Sequence, residues 1–374
     1  MTALPPFELE RFFAQHEFTV ELNACASDVE APSMAEVLEW ASPRTREAWE
    51  TLRLGYTEAP GHPRLRQAIA GLYGDDVTAD DVLVFAGAEE AIFAFASTEL
   101  GPGDHAVVVW PSYQSLHEVA RANGAEVTLL ELRHDEGWAL DPEALRRALR
   151  GGRGRSTKAV VINTPHNPTG AHLDRATYDA VVGLCADAGA RLFGDEVYRW
   201  GEHDPADRLP AAVEVSATAL SLGVMSKTFA LPGLRIGWAA SRDRALLNRL
   251  ATFKDYTTIC SSAPSELLAI AALEGLDALL TRTRSIVEPN LQHLDAFFAR
   301  HADALEWVRP RGAPIGFPRV LAPGGVAHFA EHLLAEQGTL ILPGRIYGHE
   351  GEHFRLGFGR RDLPEALERM ERVL

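Results

Sequence analysis

Lysine is nearly missing from this chain. Its 374 residues carry 36 basic side chains, and only Lys158, Lys227 and Lys254 are lysine; the other 33 are arginine. A composition biased towards arginine keeps lysine mainly where arginine cannot substitute. Schiff-base chemistry is such a place, because it needs an amine that can lose its proton and attack a carbonyl. Cysteine is also scarce. Cys25, Cys185 and Cys260 lie far apart, are odd in number and form no CxxC pair, which argues against a disulfide framework and a zinc site. No apolar run reaches the ~18 residues of a membrane span. The opening MTALPPFELERFF has Glu8 and Glu10 where a signal peptide requires an apolar stretch, so a cytoplasmic protein is expected. Positive charge is outweighed: the formal net charge is -16 at pH 7. A field of that sign repels phosphodiester backbones and anionic lipid, so neither nucleic acid nor membrane is expected as a partner.

What is present is a chain with 46% hydrophobic residues, long enough to split into two cores. Seven short apolar runs read as buried strands: Val82–Ala86, Ala106–Trp110, Val127–Leu132, Ala159–Asn163, Ala190–Gly194, Ala219–Val224 and Arg235–Ala240. Helical patterns lie between many of them, at Ala88–Leu100, Tyr113–Asn123, Asp141–Arg150 and Asp174–Ala188, with Asp141 and Asp174 as N-caps. Strands alternating with helices predict an α/β fold with a mostly parallel sheet covered on both faces. The segment 151–155, GGRGR, reads as a surface turn. After about Ala263 the pattern changes to the helices Ser265–Glu274 and Leu276–Arg300. Then come the short segments Ala304–Arg309 and Gly316–Leu321, a helix at Ala327–Gln337, a strand at Thr339–Leu342, the segment Phe354–Gly359 and a last helix from Leu363. This predicts a smaller α+β unit.

Four segments carry candidate chemistry. NTPHNPTG (Asn163–Gly170) follows a buried strand, at the carboxyl end where open α/β sheets bind ligands, and Asn167 offers a rigid amide there. RLFGDEVYRW (Arg191–Trp200) ends its apolar strand near Asp195, a carboxylate that is costly to bury without a partner; Tyr198 follows three residues later. SKTFALPGLRIGW (Ser226–Trp238) sets Lys227 just beyond another buried strand and Arg235 eight residues on. FAGAEEA (Phe85–Ala91) is a strand-to-helix junction where Gly87 permits close backbone approach and the helix start presents free N–H groups, a fit for phosphate.

In that order and with those gaps, the segments resemble the aminotransferase class I/II family of pyridoxal-phosphate (PLP) enzymes, of the aspartate-aminotransferase fold, over nearly the whole chain. The resemblance implies a PLP-dependent transferase fold. A large domain (45–270) would hold a mostly parallel seven-stranded sheet between helices, and residues 1–44 with 271–374 would form a smaller α+β domain. It implies that Lys227 holds PLP as an internal aldimine and moves the substrate proton, that Asp195 pairs with the pyridinium nitrogen, and that Asn167 and Tyr198 hydrogen-bond the phenolic oxygen. Tyr113 corresponds to the aromatic that stacks on the ring. The phosphate cup corresponds to Gly87, the N–H groups of Ala88 and Glu89, Ser226 and Arg235. Two departures stand out: Val224 replaces a common hydroxyl residue, and Glu89 brings a carboxylate near a dianion, unless its side chain points outwards as the helix dipole favours. Tyr56 resembles the tyrosine that reaches the partner subunit's phosphate, which implies a homodimer with shared sites. Arg355, in HFRLGFG, resembles the arginine that clamps the substrate α-carboxylate.

Within such a family PLP supplies the carbanion chemistry and the protein selects the outcome. Transfer of the amino group from an L-amino acid to a 2-oxo acid is the leading expectation. RGAPIGFPRV (Arg311–Val320) and LILPGRIYG (Leu340–Gly348) also resemble cyclising synthases of the family, so a cyclase or a C–S lyase is the alternative. Substrate choice is expected in Leu22–Ser33, Ala26 included, with His166, Tyr256, Arg319 and Tyr347 as further candidates; Arg319 fits a substrate carboxylate or a surface ion pair equally.

Overall fold

The computed structural model describes residues 3–151 and 156–374. Of the turn expected at 151–155, residues 152–155 therefore lie outside the described residues. The strands in chain order are β1 (Leu22–Asn23), β2 (Val82–Phe85), β3 (His105–Trp110), β4 (Glu126–Glu131), β5 (Thr157–Asn163), β6 (Arg191–Asp195) and β7 (Leu220–Val224). They continue with β8 (Gly237–Ala240), β9 (Leu305–Glu306), β10 (Ile315–Gly316), β11 (Arg319–Val320), β12 (Thr339–Leu340), β13 (Leu342–Pro343) and β14 (Phe354–Gly357).

Each of the seven expected runs is a strand of one sheet, in the order β2-β8-β7-β6-β5-β3-β4. Six strands point the same way, five of them paired in parallel, and β8 is antiparallel to both its neighbours, β7 and β2. The two-residue period of a strand explains why the runs lack polar alternation. In β3, Ala106 and Val108 enter one core with Phe85, Phe95 and Phe193, while Val107 and Val109 enter another with Val160, Ile162 and Leu192. Both faces are dry, so both registers must be apolar. The flanking helices begin where the caps predict: Asp141 accepts from the N–H groups of Glu143 and Ala144, and Asp174 from Thr177.

The C-terminal part is built on the helix Leu276–Arg300 and short strands. β14 lies between β10 and β13, antiparallel to both, and β1 pairs in parallel with β12. The single strand expected over Thr339–Leu342 is two: Thr339 and Leu340 bond to Leu22 and Asn23, whereas Leu342 and Pro343 bond to Arg355 and Phe354. The chain changes partner at Ile341, a switch that an apolar run cannot signal. A separate core, with Leu22, Ile286, Leu294, Phe297, Phe354 and Met370, fills this part. No helix among the described residues is long and apolar enough to cross a membrane.

Candidate active site

Parallel strands converge their carboxyl ends on one edge of the sheet, and polar groups stranded there face a crevice rather than a core. Asn163 ends β5 and Asp195 ends β6, directly opposite one another. Asn163 ties the two ends together: its Nδ2 donates to the Asp195 carbonyl (3.0 Å), and its Oδ1 accepts from the Asn167 N–H (2.6 Å). The Asp195 carboxylate is buried, and among the described residues the one side-chain hydrogen bond recorded for it is a long one from the Val197 N–H (3.4 Å). Burial pushes its pKa up to about 7, against the Val197 hydrogen bond and the Lys227 charge. A buried carboxylate with no ion pair of its own suits a cation brought by a ligand.

Lys227 lies three residues beyond the end of β7, half-buried. Its Nζ donates to Ser27 Oγ (2.8 Å). Loss of hydration pulls its pKa down; Asp28 opposes the shift and the Arg355 charge adds to it. Tyr198 is fully buried, and its hydroxyl donates to the Ser27 carbonyl (3.0 Å). Arg355, on β14, is 1% exposed. Its Nε and Nη2 donate to the Cys25 carbonyl (3.0 and 2.7 Å), and its Nη1 to Asn167 Oδ1 (3.3 Å) and to the Tyr347 hydroxyl. Ala26 is buried beside these residues; a Cβ on Gly357 would lie 2.0 Å from its carbonyl oxygen, so only glycine lets β14 approach this segment.

The anion cradle is equally specific. Gly87, with φ +89°, caps the helix Ala88–Glu99, whose first N–H groups have no intrahelical acceptor. A Cβ on Gly87 would stand 2.7 Å from Arg235 Nη2, and one on Gly237 would stand 2.6 Å from the Ala88 nitrogen. Glycine at both positions thus brings an exposed guanidinium against a helix start, with Ser226 buried in the turn before Lys227. Val224 packs into the sheet core and gives this cup no hydroxyl. Glu89 does not point outwards. It is half-buried against the helix Ser115–Ala122 and accepts from Ser115 Oγ (2.9 Å). Burial raises its pKa to about 7, which weakens its repulsion of a nearby dianion.

Tyr113 is half-buried between two cores, 5.0 Å from the Phe7 ring, and donates to Glu10 Oε1 (3.2 Å). Phe7 and Glu10 come from a region in which no helix was expected. The helix Glu8–His16 is anchored by Gln114, which accepts from the Glu8 N–H (2.9 Å) and donates to the Pro6 carbonyl (2.8 Å). Phe13 lies 5.6 Å from the Arg355 guanidinium. Of the substrate-choice candidates, Tyr347 reaches this constellation. His166 is buried in its loop with Nδ1 on Thr169 Oγ1 (2.8 Å), and Tyr256 is 88% exposed. Arg319 forms the surface ion pair, with Glu306 (2.5 Å).

An isolated, desolvated lysine, a cation-seeking buried carboxylate and a helix-start anion cradle together fit PLP. They define a PLP-dependent enzyme of the aspartate-aminotransferase fold. The chain belongs to the aminotransferase class I and II family, whose model matches residues 25–370. It is 32% identical to the capreomycidine synthase of Streptomyces vinaceus over 369 residues, 98% of this chain and 92% of that one. To the arginine–pyruvate transaminase of Pseudomonas aeruginosa it is 32% identical over 330 residues, 84% and 81% of the two chains. A PLP-dependent aminotransferase from Streptococcus suis superposes with a TM-score of 0.92 at 29% identity, covering 100% of this chain and 98% of that one.

The cradle is testable at its tightest point. Gly87→Ala combines a left-handed φ with a Cβ inside contact distance of Arg235, a local cost of about 1–3 kcal/mol. The variant is expected to fold and to bind PLP about tenfold or more weakly, read by titrating the cofactor-free protein and following the visible absorbance.

Proposed function

We propose that the protein transfers the α-amino group of an L-amino acid to a 2-oxo acid, with Lys227 as the residue that holds the cofactor. The observation that carries this reading is that Asp195 ends β6 and Lys227 follows the end of its neighbour β7, near enough for the lysine charge to act on the carboxylate, with Arg355 of β14 reaching Asn167. When bound, PLP supplies an electron sink for a substrate carbanion. The protein's own part follows from its geometry. Asp195 stabilises a protonated ring nitrogen, which in turn holds the carboxylate ionised. Asn167 and Tyr198 serve the phenolic oxygen. The N–H groups of Ala88 and Glu89, with Gly87, Ser226 and Arg235, hold the phosphate, and Tyr113 covers the ring. Arg355 takes the substrate α-carboxylate, and the segment around Ala26 closes that side. Lys227 Nζ, its proton affinity lowered by desolvation, accepts the proton from the substrate Cα and returns it.

The working unit in this reading is a cytoplasmic homodimer with shared sites. Support comes from Leu54 and Tyr56, 85% and 94% exposed on a segment without regular structure, as expected of residues that complete a neighbour's site. The three cysteines are free, as in a reducing compartment. A large domain of residues 45–270 and a small one of 1–44 with 271–374 belong to the same proposal. The separate core around Phe297 and Phe354 supports it, although Val37 and Ala41 pack with Leu65 and Leu267 on the large-sheet side.

A second reading, a cyclising synthase or lyase, is favoured by the likeness to capreomycidine synthase over 98% of the chain. Absorbance decides between them. The PLP-loaded protein is mixed with single L-amino acids, arginine among them, without any 2-oxo acid. Conversion of the visible band to the near-ultraviolet pyridoxamine form identifies a transaminase and its donor. A visible band that persists while ammonia or a ring product appears favours the second reading.

A further inference from the structure

Tyr347 closes the short turn Gly344–Tyr347, and 7% of its surface is exposed. Its hydroxyl stands between two residues that the proposed function assigns to different molecules. Arg355 Nη1 donates to it, and it donates to Asn167 Oδ1 (2.9 Å). Arg355 Nη1 also reaches that same Oδ1 at 3.3 Å. A guanidinium has donors only, and a phenol that already accepts from it has its proton to give. The amide oxygen of Asn167, rather than its nitrogen, must therefore face this pair, which turns the NH₂ group elsewhere. Burial raises the pKa of the Tyr347 phenol, so it stays a donor at neutral pH. The Asn167 backbone is held independently, through Asn163. Tyr347 thus acts on the orientation of the Asn167 side chain and not on the course of its loop.

We propose that Tyr347 is a positioning residue for the reaction: its hydroxyl fixes the Asn167 amide with NH₂ free for the phenolic oxygen of the cofactor, and couples that amide to the arginine that binds the substrate carboxylate. This rests on the site reading above. Most of the guanidinium's donors are already in use: Nε and one N–H of Nη2 hold the Cys25 carbonyl, and Nη1 holds Tyr347 and Asn167. A carboxylate that binds Arg355 bidentately competes for these donors, so Tyr347 and Asn167 must readjust together. Carboxylate binding is thereby felt at the phenolic oxygen.

The test is Tyr347→Phe, which removes one oxygen and keeps the ring. In the PLP-loaded protein, the pH midpoint of the visible absorbance band is expected to rise by about half a unit or more, because a less well-held donor stabilises the phenolate less. KM for the amino donor is expected to rise about tenfold, with a smaller change in kcat and a melting temperature within a few degrees of wild type. In an Asn167→Ala background the same substitution should move the midpoint no further. A midpoint unchanged in Tyr347→Phe overturns the proposal, as does a shift that persists without the Asn167 amide. A wild-type protein that shows no visible band with PLP overturns the cofactor site itself, and this inference with it.

Discussion

Lys227→Ala is expected to give a folded protein without measurable turnover, a loss on the order of 10⁴-fold or more, because attack on the cofactor carbonyl and transfer of the Cα proton both depend on one amine. The scarcity of lysine makes this prediction sharp. Lys254 is buried with Nζ bound to the carbonyls of Ala59 and Ile259 (both 2.9 Å), and Lys158 pairs with Asp104 (3.3 Å). Neither stands in for Lys227. The readout is covalent: borohydride reduction should fix PLP to the wild-type chain at a single peptide and fix none to the variant, as seen by mass. Stability should hold or rise, since the substitution removes a desolvated amine whose pKa burial already depresses. Lys227→Arg is expected to be equally inactive, because a guanidinium does not give up its proton in a protein. Cofactor still fixed at another lysine, or turnover near wild type, would overturn the role of Lys227.

The groups most legible in the sequence are those whose physics is local. Seven apolar runs became seven strands, most of them because burial on both faces leaves no other pattern, and the caps at Asp141 and Asp174 follow from side chains that bond their own helix starts. Asn167, Asp195 and Lys227 were legible because each is a polar residue at, or within four residues beyond, the end of an apolar strand. The acceptors were not. Ser27 and Cys25 bind Tyr198 and Arg355 through backbone carbonyls, and every residue has a carbonyl. Glu89 depends on Ser115, 26 residues away on another helix, which no dipole argument within its own helix contains. The helix Glu8–His16 escaped notice for a related reason. Its apolar face, with Leu9, Phe12 and Phe13, has meaning only against a core assembled from distant strands. Tyr347 was visible as one of several candidates, but its place between Arg355 and Asn167 needs the pairing of β13 with β14, and so the switch of partner at Ile341.

Asp195→Asn tests the electron sink while keeping the shape of the side chain. An amide cannot hold a proton on a ring nitrogen, so removal of the substrate Cα proton is expected to slow on the order of 10³-fold or more, measured as the rate of disappearance of the visible band in a single turnover. A rate near wild type would show that the ring nitrogen has another partner. The same substitution should have a second, opposite effect on the cofactor-free protein. There the Asp195 pKa is raised from 3.8 to about 7 by burial. A carboxyl whose folded pKa lies above its unfolded value favours the folded state fully below the unfolded pKa and loses that contribution as pH rises through the folded one. Between about pH 4 and pH 7 the cofactor-free wild type should therefore lose stability relative to Asp195→Asn, and the gap between their melting temperatures should then level off. Glu89 and Glu196 are also raised to about 7 by burial, but both remain in the variant, so the difference reports Asp195 together with its electrostatic coupling to Glu89. With PLP bound the pH dependence of that difference should vanish, because the ring cation returns Asp195 to its ionised state. A carboxylate that strains the empty protein and is relieved by its cofactor is a means of holding that cofactor, and the two melting series measure how much of the affinity for PLP comes from this one residue.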